Sequence, residues 1–126
     1  MTKEEIESLK LADTDGLHIY EYIANNIGNC DEDLTALAEA LREIDLTGQF
    51  TASAARFLHA IDSRQYADAV RLLVAATIDR DRERSYLPEL MQCIYGPDCE
   101  ARAAELSATD NNFRRMYKRI YPDSAM

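Results

Sequence analysis

The stretch VRLLVAATI, residues 70–78, is apolar around most of a helix's circumference, with only Arg71 and Thr77 interrupting it. A helix hydrophobic on nearly all sides must be buried on several of them. The rest of the chain therefore has to wrap this one segment, and its pattern says with what. Leu34, Leu37, Ala38, Leu41 and Ile44 recur at helical spacing, and no period-2 stretch is long enough to specify a strand. The chain predicts an all-α fold, a compact single-domain bundle of about six to eight short helices spanning residues 1–126.

Local signals divide the chain. Thr2 and Glu5 suit a capping box for a helix over about 3–11, and Asp13, Asp15 and Gly16 then break the pattern. A helix over about 16–27 would place Leu17, Tyr20, Ala24 and Ile27 inward, with Gly28 past its end. The next, about 31–45, opens on Asp31, Glu32 and Asp33, where the helix dipole favours acids. After the turn DLTGQF, Thr51 is a cap for a helix over about 52–62, with Ala54, Phe57, Leu58 and Ile61 inward. Ser63 is a cap for the buried segment, about 64–80. Leu90, Met91, Ile94 and Tyr95 mark a sixth helix ended by Gly96-Pro97. Asp98 opens a seventh with Ala101, Ala104 and Leu106, and Asp110 an eighth with Phe113, Met116, Tyr117 and Ile120 inward.

Within YADAVRLLVAA, the spacing of Tyr66, Ala69, Leu73 and Ala76 resembles the second helix of a tetratricopeptide repeat. The preceding helix lacks the expected Trp, Leu and Gly, and no second copy of this segment appears. The expectation is a bundle without repeats.

Charge narrows function. The net charge is −9, and all of it resides in residues 1–50, with 3 Lys/Arg against 12 Asp/Glu; residues 51–126 hold 11 of each. An acidic whole disfavours nucleic-acid binding, which needs a basic footprint. The beginning MTKEEIESLK has no apolar core of an export signal, and no apolar run approaches membrane-spanning length. With three sparse cysteines, Cys30, Cys93 and Cys99, the expectation is a cytoplasmic protein with reduced thiols and no membrane association.

Motifs for chemistry are absent: no glycine-rich phosphate loop, no GxSxG elbow, no paired Cys/His zinc spacing. His18–Glu21 and His59–Asp62 share a helix face at i, i+3, in the order opposite to the Glu-x-x-His of di-iron bundles. They read as exposed helix pairs, and no metal or cofactor is expected. Cys93 reads as core. Cys99, beside a helix start, is the thiol that a lowered pKa would activate.

Two charged segments are left. Residues 79–84, DRDRER, alternate acid and Arg, and their helical i, i+4 pairs are like-charged, so local stability does not explain the run. It reads as the solvated exit of the buried helix or, functionally, as a docking edge of Arg80, Arg82 and Arg84 beside Tyr86, residue types enriched at interface hot spots. Arg114, Arg115, Lys118 and Arg119 form the basic face of the last helix, answering the acidic first half or contacting a partner. Asp31, Glu32 and Asp33, with the pair His18 and Tyr22, are further candidate contacts, since acidic patches speed capture of basic partners. The sequence points to a small acidic helical protein that acts by binding another protein, as a regulator, inhibitor or immunity-type protein does. One alternative is an enzyme whose dispersed His and Arg residues converge on an anionic substrate. A second is nucleic-acid binding through the basic C-terminal helix. Oligomeric state is not encoded in any pattern above.

Overall fold

A computed structural model describes residues 1–123. These form eight α-helices and no strand, an all-α single-domain bundle. The helices are α1 (Lys3–Ala12), α2 (Leu17–Asn26), α3 (Leu34–Ile44), α4 (Gln49–Asp62), α5 (Ala67–Arg80), α6 (Leu87–Tyr95), α7 (Ala103–Thr109) and α8 (Asn111–Ile120), with a single 3-10 turn, Asp31–Asp33, leading into α3. No described helix is long and apolar enough to cross a membrane.

The bundle has an order that the sequence pattern did not suggest. Helices α1, α3, α5 and α8 pack side by side in one layer, and α2, α4 and α6 in the other. Successive hairpins α2–α3 and α4–α5 thus stack on each other, and α6 with α8 forms the third level; α7 packs on α8 alone. Helix α5 sits at the centre, touching α3, α4, α6 and α8. That is why its sequence is apolar all round: Val70, Leu73, Val74, Ala76, Thr77 and Ile78 are buried.

Three buried aspartates build the turns between levels. Asp13 follows α1, Asp45 follows α3 and Asp81 follows α5, and each carboxylate bonds the start of the helix that follows. Asp13 accepts from the backbone N–H of Asp15 and Gly16 on one oxygen and of Ile19 on the other. Asp45 accepts from Thr47 and Gly48 on one oxygen and from Phe50 and Thr51, at 2.8 and 2.9 Å, on the other. Asp81 accepts from Ser85, and from Tyr86 and Leu87 at 2.7 and 2.9 Å. These bonds satisfy orphan N–H groups at a helix start, where the dipole also favours negative charge.

The register is shared. The residue six positions after each aspartate, Ile19, Thr51 or Leu87, is buried and donates its N–H to that aspartate. The residue three positions after it has positive φ: Gly16 at 109°, Gly48 at 87° and Arg84 at 60°. The loops also lie against each other. A Cβ placed on Gly16 would lie 3.3 Å from Asp45 Cβ, and one on Gly48 3.2 Å from Asp81 Cβ. The chain therefore does contain a repeat, Asp-x-x-Gly at 13–16 and 45–48, outside the YADAVRLLVAA segment.

Several local expectations need correction. Thr51 does not cap α4; it is buried, and its hydroxyl lies 2.8 Å from that of Thr77 on α5, while Asp45 does the capping. Ser63 ends α4 rather than opening α5. Asp98 opens a series of turns, and α7 begins only at Ala103. Leu17 and Ile61 are exposed; the buried stripe of α2 is Ile19 and Ile23, because the Asp13 cap sets where the helix starts. Cys93 is exposed, against its expected place in the core, and Cys99 is buried. Thr2, Asp110 and the buried faces of α3 and α8 stand as expected: Thr2 accepts from Glu5 N–H, and Asp110 from Phe113 N–H.

Candidate functional site

The run DRDRER is divided among different tasks. Asp79 pairs with Arg115 of α8 at 2.7 Å. Asp81 is 2% exposed and spent on capping α6. Arg80 is half-buried, and Arg82, Glu83 and Arg84 are exposed on the loop. The run is the solvated exit of the buried helix, as its pattern suggests, with one acid anchoring the loop from below and Arg82 and Arg84 left outside.

Next to it is a cleft of about 320 Å³, lined by Leu46 and Thr47 from the Asp45 loop and by Arg80, Asp81, Arg82, Glu83, Ser85 and Tyr86 from the Asp81 loop. Its volume falls at the lower end of the range for ligand-binding clefts. Leu46, within the Asp45 turn, is 70% exposed. Among the described residues no ion pair forms to Arg80, Arg82 or Arg84, nor to Arg64, Arg114 or Arg119, whereas Arg42, Arg56, Arg71, Arg102 and Arg115 each have a carboxylate partner. The lining pairs the arginines Arg80 and Arg82 with the acids Asp81 and Glu83, so its formal charge balances, and Arg84 lies on the same loop outside the lining.

The other predicted contacts do not join this cleft. Asp31 lies near the start of α5, about 20 Å from the loop by helix rise. Its carboxylate is already engaged, accepting from Gly28 N–H, Gln65 Nε2 and the Tyr66 hydroxyl. Asp33 faces the N-terminal amine at 3.4 Å, and Glu32 is exposed. On α8, Arg114 bonds Asn111, Arg115 holds Asp79, Arg119 is half-buried and Lys118 is exposed. The basic helix is thus fastened to the end of α5 and not to the acidic first half.

His18 is exposed. His59 lines a second, smaller cleft of about 170 Å³ with Ser63, Arg71, Tyr95, Asp110 and Asn112 over an apolar floor of Val70, Val74 and Ile94. The polar groups there bond one another: the Tyr95 hydroxyl donates to Asp110, which also caps α8, and Asn112 donates to the Arg71 carbonyl. Burial and the neighbouring Asp110 push the Tyr95 phenol well above its ordinary range, so it stays protonated. No described cluster of His, Cys, Asp and Glu could hold a metal ion. Burial likewise pushes the Cys99 thiol up, against the activation that a helix start would have given.

Sequence reasoning found the arginines and Tyr86 but missed Leu46 and Thr47, which complete the cleft. The repeated Asp-x-x-Gly relates the Asp13 and Asp45 loops only; at 81–84 the glycine is replaced by Arg84, so no signal in the sequence placed Leu46 and Thr47 beside the Asp81 loop. The fold and cleft define a short stack of helical hairpins with a notch, lined by both signs of charge, between two of its turns. Comparison with protein-family models, curated proteins and solved structures finds no match for the chain.

Proposed function

We propose that the protein is a binding module that captures an acidic segment of a protein partner in the notch between the Asp45 and Asp81 loops. The observation that carries this reading is that the Asp81 carboxylate is taken up by the backbone N–H of Ser85, Tyr86 and Leu87 while Arg80 and Arg82 in the same cleft have no carboxylate partner, beside the exposed Leu46 and half-buried Tyr86. Arginine forks bind carboxylates bidentately, and a neighbouring apolar wall gives such a contact affinity that charge in water lacks. The net negative charge lies in residues 1–50, which repel an acidic partner from that end of the chain.

The test is fluorescence anisotropy with a labelled synthetic peptide of alternating Glu and Leu, and its Gln–Leu counterpart, at low and high salt. Binding is expected for the Glu peptide only, weakening with salt, and lost in the Arg80→Ala/Arg82→Ala double variant with its thermal midpoint unchanged. Equal binding of both peptides, or binding of a single-stranded oligonucleotide in their place, would overturn the reading.

A further inference from the structure

Helices α4, α5, α8 and α6 pack in a closed ring, each on the next, while α4 and α8 do not touch. The smaller cleft lies where the four meet, so α4 and α8 stand on opposite sides of it. It is at the other end of the α4–α5 hairpin from the notch, beside the end of α4 and the start of α5.

The two sides differ in chemistry. From α8 come acceptors. Asp110 spends Oδ1 on both the Phe113 N–H and the Tyr95 hydroxyl, and among the described residues no donor reaches its Oδ2. Asn112 gives Nδ2 to the Arg71 carbonyl, which fixes the amide so that the acceptor Oδ1 is the end left over. From α4 come donors, the half-buried His59 and the exposed Ser63, neither of whose side chains is hydrogen-bonded among the described residues. Arg71 adds a guanidinium at the rim; it pairs with Asp68 one turn back, an exposed contact of small worth that a ligand carboxylate can displace. Between the two sides the floor is apolar, made by Val70, Val74 and Ile94. A few uncommitted polar groups converging over an apolar floor are what a small-molecule site requires. The lining holds one acid, Asp110, and one arginine, Arg71, so a molecule of a single charge matches only half of it.

We propose that this cleft binds a small aliphatic amino acid whose ammonium and carboxylate stand at opposite ends of a short methylene chain. The ammonium donates to Asp110 Oδ2 and Asn112 Oδ1, the carboxylate accepts from His59 and Arg71, and the methylenes cover Val70, Val74 and Ile94. At about 170 Å³ the cleft has the volume of roughly five or six waters at about 30 Å³ each, which suits such a chain and is too little for a nucleotide. The site is separate from the notch and does not depend on the acidic-segment reading.

Proton–nitrogen NMR titration of the whole chain with 5-aminopentanoate tests this, with pentylamine and pentanoate as ligands that each lack one charge. The expected result is saturable shifts at the ends of α4 and α6 and the starts of α5 and α8, with a Kd of about 1 mM for a molecule of this size. Each singly charged ligand should bind about tenfold more weakly or worse. In Asp110→Asn, which keeps a side-chain cap for α8, 5-aminopentanoate should bind no better than pentanoate. In His59→Ala, on the opposite wall, 5-aminopentanoate and pentanoate should both weaken while pentylamine does not. The absence of saturable shifts in the parent, or binding of pentanoate or pentylamine as tight as that of 5-aminopentanoate, would overturn the proposal. If Asp110→Asn fails to fold, His59→Ala decides alone, and an unchanged affinity for 5-aminopentanoate there sinks it.

Discussion

Replacing Asp45 with alanine tests whether the buried carboxylates hold the levels of the stack together. Asp45 is 1% exposed and accepts four backbone N–H bonds, from Thr47, Gly48, Phe50 and Thr51. In the alanine variant the Thr47 N–H regains a water, since that residue is exposed, but Gly48 and Thr51 are buried and lose their side-chain acceptor. Two buried donors at about 1–2 kcal/mol each, with about 1 kcal/mol for the lost cap, give roughly 3–5 kcal/mol. That is a large share of the roughly 5–15 kcal/mol that holds a domain folded. It corresponds to a fall in midpoint of about 10–20 °C for a chain of this size. Asp45→Asn keeps the shape with a single good acceptor and should lose about half as much. Asp62 is the control, because it accepts from Arg64 and Gln65 N–H in the same local manner but is exposed; its alanine variant should lose less than about 1 kcal/mol. Urea unfolding followed by far-ultraviolet circular dichroism measures all three. An Asp45→Ala variant within about 0.5 kcal/mol of the parent, the range of an ordinary surface change, would refute the reasoning.

Gly16→Ala should cost about 2–3 kcal/mol, because its Cβ would meet Leu41 Cδ1 at 2.9 Å as well as adopting φ 109°; Gly28→Ala, with open space around it, should cost about 1 kcal/mol, and equal losses in urea titrations would contradict this. A thiol reagent should modify Cys93 rapidly in the native protein and Cys30 and Cys99 only on unfolding, since both are buried and burial pushes their thiols up; peptide mapping after a short pulse identifies the sites. Burial alone would raise the Asp13 carboxyl, but N–H bonds from Ile19, Gly16 and Asp15 overcome it and hold it below its ordinary value of 3.8. Its contribution is therefore complete above that value and is lost as pH falls through the lower folded value, so the stability gap between the parent and Asp13→Asn should narrow only in that acid range.

The helices were legible because an amphipathic or fully apolar stripe fixes period and burial together, as in α3, α5 and α8. The starts of α5 and α7 carry no side-chain cap, and the start of α4 was hidden for a physical reason. A Ser, Thr or Asp just before an apolar run fits a local cap, but at α4 the bond comes from Asp45, farther upstream, whose fitness depends on being buried. Thr51 looks like a cap in sequence and is in fact a buried bridge to Thr77. The notch was half legible. Arg80, Arg82, Arg84 and Tyr86 are consecutive enough to be noticed, whereas Leu46 and Thr47 join them only through the stacking of two loops 36 residues apart. The positive φ of Arg84 has no signature in a single sequence; it becomes readable only when the three aspartate loops are aligned.

Helices that touch only their neighbours have a kinetic consequence. In such an array the layers need not open together. Helix α1 buries no residue completely, so its amide protons should exchange with solvent first. Helix α5 is enclosed by α3, α4, α6 and α8, so its amides should exchange last, near the rate set by global unfolding. The arginine loop is the direct continuation of α5. Arg82 and Arg84 are exposed while the loop's backbone grows from the slowest-opening segment of the molecule, and a partner would meet a platform that stays in place while the N-terminal end breathes.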